Sequence, residues 1–193
     1  MLIHISGPPG AGKTTLKNPI AALRNDIVAV DLDDIDDAHA LELLSAKHMC
    51  ASIANGNIDR FFRAKNKLNM KWLKTMKSIA KEKYVILFGL SFGYFLADKK
   101  YSLKVDPMVL YKRICARTLT DICAYRTEIE DLLRHEHPEI VHLLCTYKYK
   151  IRQHFIIPYH LSAGEIKLFY ADERKRNYVP KTAEQLQEII SNL

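Results

Sequence analysis

Glycine is scarce in this chain, with seven in 193 residues, and proline is no more frequent. A sequence this poor in both is neither collagen-like nor a low-complexity linker. Cysteine is scarcer still: Cys50, Cys115, Cys123 and Cys145 are widely spaced, with no C-x-x-C pair and no Cys/His grouping at zinc-ligand spacing. That spacing argues against a disulfide framework or a zinc site and predicts reduced, buried thiols. No apolar run approaches the roughly eighteen residues of a membrane span, and no charged leader precedes a long apolar stretch. A soluble, intracellular, cytoplasmic protein is expected. Acidic residues are outnumbered too, 22 against 29 Lys and Arg, for a formal net charge of +7. That balance favours anionic partners, whether nucleotides, nucleic acid or acidic surfaces.

Three of the seven glycines fall close together near the amino end. The apolar run Leu2-Ile3-His4-Ile5 enters Gly7-Pro8-Pro9-Gly10-Ala11-Gly12-Lys13-Thr14-Thr15, which fits G-x-x-x-x-G-K-[ST]. In this loop glycines let successive backbone amides turn onto a phosphate, and a helix starting at Lys13 adds the positive end of its dipole. Lys13 is expected to reach the β- and γ-phosphates, and the Thr14 hydroxyl to ligate Mg²⁺. A strand before the loop and a helix-compatible stretch after it supply the context the motif needs. An ordinary Gly/Pro turn is the competing explanation.

The chain is long enough for one domain with a sizeable core. Thr15 to Arg24 predicts a first helix, kinked or shortened by Pro19, which removes an amide donor and crowds the preceding turn. A short strand, Asp26 to Val30, runs into Asp31-Leu32-Asp33-Asp34-Ile35-Asp36-Asp37. Two helices follow, Asp34 to about Asn55 and Ile58 to about Lys81, parted by Asn55-Gly56-Asn57. The second places Phe61, Leu68, Trp72, Met76 and Ile79 on one face and Lys67, Lys71, Lys74 and Lys81 opposite. Tyr84 to Phe88 reads as a strand buried on both faces and ends at Gly89. Tyr101 to Val105 is a further strand, and Met108 to about Leu133 a helix with a possible break near Arg117 to Asp121. The pattern of residues 134–162 is irregular. Glu165 to Tyr170 is expected as the last strand, and Thr182 to Ile190 as the last helix with Thr182 as N-cap. Strands alternating with helices imply a parallel sheet covered on both faces, with ligands at the carboxyl ends of its strands.

The four apolar residues Ile27 to Val30 deliver Asp31 to such an end, where it is placed to help hold Mg²⁺ directly or through water. Asp33 points the same way if the strand continues, and a carboxylate there suits accepting a proton from an acceptor hydroxyl or orienting it. Asp34, Asp36 and Asp37 are assigned mainly to helix capping and solvent. His135-Glu136-His137, before Pro138, is assigned to solvent and holds no metal.

The order of apolar strand, G-x-x-x-x-G-K-T-T, short helix and strand ending in D-x-D resembles the P-loop kinase group, which includes nucleoside monophosphate kinases and small-metabolite kinases of the shikimate and gluconate type. The likeness runs by motif through the first ninety or so residues and by layout beyond. It implies a three-layer α/β P-loop fold in one domain of 193 residues. The sheet is parallel and five-stranded, in order 2-3-1-4-5, with helices on both faces. It implies a helical acceptor-binding region at 34–82 and a helical lid at 113–160. It implies ATP and Mg²⁺ as cofactors, with Gly7, Pro8, Pro9, Gly10, Ala11, Gly12, Lys13, Thr14 and Thr15 around the nucleotide, and Thr14 and Asp31 on the metal. Lys13 and Asp33 act in the transfer, Gly89 lines the acceptor pocket, and lid arginines among Arg113, Arg117 and Arg126 meet the transferring phosphate. Arg117 and Arg126 are the preferred pair, because an always-charged planar donor closing over the transferring group stabilises its spread negative charge. Two features depart from the group: neither an Asp-Arg pair nor a Gly-Gly-Gly run follows Gly89, and Pro19 is unusual.

The function expected first is an ATP-dependent kinase moving the γ-phosphate to a small acceptor, a nucleoside, nucleotide or related metabolite. A polynucleotide end kinase is the alternative suggested by the net charge and the lysine row, although such rows are usually the wet side of an amphipathic helix. A non-kinase ATP-binding or ATP-hydrolysing regulator is the third. A guanine switch is disfavoured: no D-x-x-G is present, and Asn66-Lys67-Leu68-Asn69 has asparagine where N-K-x-D requires aspartate. No protein partner and no membrane are expected.

Overall fold

The computed structural model describes residues 1–8, 10–89, 97–116 and 163–193. Five parallel strands, β1 (Leu2–Ser6), β2 (Ile27–Asp31), β3 (Tyr84–Phe88), β4 (Lys99–Leu103) and β5 (Val179–Lys181), form one sheet in the order β2-β3-β1-β4-β5. This is the order the family resemblance implies. Chain direction across the sheet reverses at β1, the central strand, which pairs Ile5 with Phe88 on one side and with Tyr101 on the other. Seven helices are described: α1 (Lys13–Ala21), α2 (Leu32–Ser45), α3 (Lys47–Ala54), α4 (Ile58–Ile79), α5 (Pro107–Ala116), α6 (Ala163–Lys175) and α7 (Ala183–Ser191). Among the described residues, no helix is long and apolar enough to cross a membrane.

Alternation along the strands divides the core in two. Ile3, Ile5, Ile86, Phe88 and Leu103 pack against Leu16 and Ile20 of α1 and Leu186 and Ile190 of α7. Leu2, Val85 and Leu87 face the other way, onto Leu32 of α2 and Leu73, Met76 and Ala80 of α4. Residues 85–88 of β3 are buried throughout, as a continuous apolar run with cover on both faces should be. Pro19 lies inside α1, which ends two residues later, so the helix is the short one expected.

Three expectations about elements are corrected. The predicted helix from Asp34 to Asn55 starts earlier and is two helices, because Ala46 is extended (φ −79°, ψ 109°) and ends α2 while opening α3. The break lets Met49 and Ile53 fold onto Leu43 and Phe61, a third small core that one straight rod would not close. The expected strand Glu165 to Tyr170 is part of α6, and the last strand is the three-residue β5 with Pro180 in its middle. Proline is tolerated there because β5 is the sheet's edge. At the end of α6, Asn177 turns left-handed (φ 65°) and the Tyr178 amide donates to the Glu173 carbonyl at 3.0 Å, which aims the chain into β5. The capping prediction for α7 holds: Thr182 and Gln185 form a reciprocal capping box.

The third correction concerns α4. Phe61 and Met76 are buried and Lys67, Lys71, Lys74 and Lys81 exposed, as read, but the fully covered row also contains Lys65 and Asn69. These polar residues are satisfied by α2. Lys65 pairs with Asp36 at 2.8 Å, the Asn69 amide donates to the same carboxylate at 2.6 Å, and His39 bonds Asn69. Asp36 is therefore a half-buried clamp and not the solvated aspartate expected. Removing one partner of such a pair strands the other charge, so Lys65→Met is expected to cost about 3 kcal/mol. The double variant Asp36→Leu/Lys65→Met should recover most of that loss. Urea midpoints of the three proteins test this, and a single variant as stable as wild type would refute it.

Candidate active site

The loop leaves the sheet at the carboxyl end of β1, beside the ends of β2 and β3. Gly12 is the N-cap of α1 in the left-handed region (φ 94°), which a side chain would strain. No side chain caps α1 and no acid stands in its first turn, unlike α2 and α7. Its first amides are thus left to a ligand, and the dipole there favours an anion. Lys13, 9% exposed, folds back over the loop with Nζ 2.7 Å from the Gly7 carbonyl oxygen and 3.3 Å from that of Pro8. Pro9 lies outside the described residues. Thr14 and Thr15, at the head of α1, are exposed.

The Thr14 hydroxyl donates to Asp31 Oδ2 at 3.1 Å. Asp31, 4% exposed, is both the last residue of β2 and the N-cap of α2, its Oδ1 accepting the Asp33 amide at 3.1 Å. A hydroxyl and a carboxylate brought together beside a phosphate loop are the oxygen ligands that a hard divalent cation takes. The two metal-ligand candidates, predicted from separate parts of the sequence, therefore meet in space.

Asp33 does not continue a strand. Helix α2 begins at Leu32, so Asp33 stands exposed in its first turn, aimed by helical and not by strand geometry. Gly89 has φ 141°, and a Cβ there would come within 2.9 Å of the Leu32 Cβ. Glycine is thus required where the end of β3 passes under the start of α2. Arg117 and Arg126 lie outside the described residues, as do residues 117–160 of the lid expected at 113–160, His135-Glu136-His137 among them. Arg113, named with the other arginines but not preferred, reaches the loop from α5: Nη1 donates to the carbonyls of Gly10 and Ala11, each at 3.4 Å.

A polar group that sequence reading passed over lies beneath the loop. His4 and Ser6 of β1 are each 1% exposed, Tyr178 and Glu173 each 4%. The His4 imidazole bonds the Tyr178 hydroxyl through Nδ1. Among the described residues neither its Nε2 nor Glu173 Oε2 has a hydrogen-bond partner. Burial, reinforced by the Lys13 and Lys100 charges, pulls the His4 pKa down to about 4, so the ring is neutral at physiological pH. The available signal was two polar residues in the central strand's otherwise apolar run. Glu173 gave none, because its helix was not anticipated.

Residues 3–133 match the family described as the AAA domain. Over 133 residues the chain is 32% identical to a cytidylate kinase of Archaeoglobus fulgidus, spanning 66% of this chain and 68% of that protein. Among solved structures it is similar to a shikimate kinase from Bacteroides thetaiotaomicron, with 20% identity, a TM-score of 0.41, and coverage of 91% of this chain and 97% of that one. A shikimate kinase from Acinetobacter baumannii in complex with shikimate gives 18% identity, a TM-score of 0.36, and coverage of 91% and 93%. With its phosphate loop, its strand order and these sequence matches, the chain belongs to the AAA-domain family of P-loop proteins, within the group of nucleoside monophosphate and small-metabolite kinases.

Proposed function

We propose that the chain is an ATP-dependent kinase that moves the γ-phosphate of Mg·ATP to a small acceptor, a nucleoside, nucleotide or related metabolite. The observation that carries this reading is the Thr14–Asp31 contact beside Lys13, which joins a phosphate cradle to a carboxylate suited to a metal. Membership of a kinase group, and a cytidylate kinase as relative, support it.

Mg·ATP, when bound, supplies the phosphoryl group and a divalent charge that neutralises its oxygens. The protein's own part is positioning and electrostatics. The uncapped amides of α1 and the non-proline loop amides between Gly7 and Thr15 hold phosphate oxygens, and Lys13 exchanges loop carbonyls for them. Thr14 and Asp31 hold the metal. Asp33, exposed at the mouth of the site, orients the acceptor hydroxyl and accepts its proton. Arg113 sits on the loop, ready to meet the transferred group, and Arg117 and Arg126 follow it in the chain. The acceptor lies against α2 to α4, within residues 34–82, with Gly89 beneath it.

The test is ADP release from Mg·ATP in the presence of nucleosides, nucleotides, other metabolites and oligonucleotides, each against the acceptor-free rate. Stimulation by a small acceptor that is insensitive to salt is expected. Stimulation only by oligonucleotides, weakening steeply as salt rises, would transfer the reading to a polynucleotide kinase, and no stimulation by any acceptor would refute transfer.

A further inference from the structure

The positive charge of the chain is concentrated in one helix. Residues 58–83, which are α4 and the turn after it, hold nine Lys and Arg against Asp59 and Glu82, a net charge of +7 that equals the whole protein's. Everything outside this stretch is balanced. Between Arg60 and Lys81 it contains no acid at all.

Helical geometry sorts these cations. At about 100° and 1.5 Å per residue, Arg60, Arg63, Lys67, Lys71 and Lys74 fall within an arc of about 80° and rise over about 21 Å. All five are exposed. Lys65 and Lys77 turn off this arc, and each meets an acid brought from elsewhere in the chain, Asp36 or Asp98. Among the described residues no ion pair includes any of the five on the arc, and Arg60 donates to the neutral Ser52 hydroxyl at 3.1 Å. Successive members stand three or four residues apart, where like charges repel, and Arg60 adds a cation at the positive end of the helix dipole. A helix face that is merely wet alternates acids with bases. This one does not.

The surroundings of the arc select its partner. A protein interface has an apolar centre and is poor in lysine, whereas Met70, at 38%, is the one large apolar side chain of α4 that stands exposed among the described residues. A membrane surface takes a helix whose apolar side is open, but that side of α4 is spent on the sheet through Leu73 and Met76. Single strands are held by aromatic rings beneath their bases, and no aromatic residue falls on the arc. A duplex carries a phosphate about every 1.7 Å of its axis, all on the outside. We propose that the exposed face of α4 is a docking surface for the phosphate backbone of a nucleic-acid duplex, which Arg60, Arg63, Lys67, Lys71 and Lys74 hold without reading its sequence. The contact is separate from the phosphate loop, and it stands whether or not the chain transfers phosphate.

The test is fluorescence anisotropy of the whole chain with a labelled, mixed-sequence DNA duplex about two helical turns long. Binding by wild type should weaken on the order of 100-fold between about 50 and 200 mM salt, and a single strand of the same sequence should bind less tightly. The variant Arg63→Gln/Lys67→Gln/Lys71→Gln/Lys74→Gln should lose about 10- to 100-fold in affinity at low salt, with a log-log salt slope shallower by about 3 to 4. Removing equal charge from exposed positions off α4, as Lys99→Gln/Lys104→Gln/Lys167→Gln/Arg174→Gln, should leave affinity within about threefold of wild type. Glutamine matches lysine and arginine in helix propensity, so the α4 variant should fold, with a urea midpoint at or above that of wild type as repulsion is relieved. A lower midpoint would show the row engaged by acids of the chain itself and would overturn the inference. Absence of binding by wild type, equal losses in the two variants or tighter binding of the single strand would do the same. Displacement of the duplex by polyglutamate at equal charge would make an acidic protein the occupant, and displacement by a non-hydrolysable ATP analogue would put the duplex on the phosphate loop. Either result overturns docking of a duplex on α4.

Discussion

Lys13→Ala is expected to lower turnover by about 10^2 to 10^3 fold, the scale of removing one preorganised donor from a developing charge. The magnitude follows from where the ammonium sits. It is almost fully buried, held within the loop by the Gly7 and Pro8 carbonyls, and so acts on phosphate oxygens with little screening. Turnover is read from ADP release with the best acceptor of the panel, and folding from the urea midpoint. Turnover within a few-fold of wild type would show that the loop binds phosphate without using its lysine.

Asp31→Asn separates two duties of one side chain. Asparagine caps a helix about as well as aspartate, so α2 should keep its start and the protein its stability to within a few tenths of a kcal/mol. The loss falls on the oxygen facing Thr14, which becomes a neutral amide. Roughly 10- to 100-fold weaker Mg²⁺ affinity is expected, read as a rightward shift of the activity against Mg²⁺ concentration with partial recovery at saturating metal. Asp31→Ala should add about 1 kcal/mol of instability from the lost cap. If Asp31→Asn left the metal dependence unmoved, the carboxylate would be a cap and nothing more.

What the sequence disclosed followed from whether a signal was local. The phosphate loop, the apolar run of β3, the Asn55-Gly56-Asn57 turn and the Thr182 cap each depend on neighbours a few residues away, and each is where it was expected. Asp31 and Thr14 were both picked out, and only folding could show that they touch. Signals that depend on distant partners were misread. Lys65 and Asn69 were not counted with the covered face of α4, because Asp36, which allows them inside, is about thirty residues upstream. Glu165 to Tyr170 looked like a strand because a short apolar run fits either period. Its place in α6 is fixed by tertiary bonds: the Tyr170 hydroxyl donates to the Leu103 carbonyl at 2.8 Å and accepts the Val105 amide at 3.3 Å. Asp33 was aimed by assuming a strand that stops two residues earlier, because a cap at Asp31 turns the chain at once into α2.

The junction of β2 and α2 contains no connecting residue: Asp31 ends the strand and Leu32 begins the helix. In engineering terms this is a gearing without slack. A single inserted residue would turn α2 by about 100°. That would carry Asp36 off Lys65, lift Leu32 from over Gly89 and withdraw the cap from Asp31. The site can therefore be retuned by exchanging side chains at this junction but not by altering its length, and homologous insertions should instead gather at the break at Ala46 or the turn at Gly56.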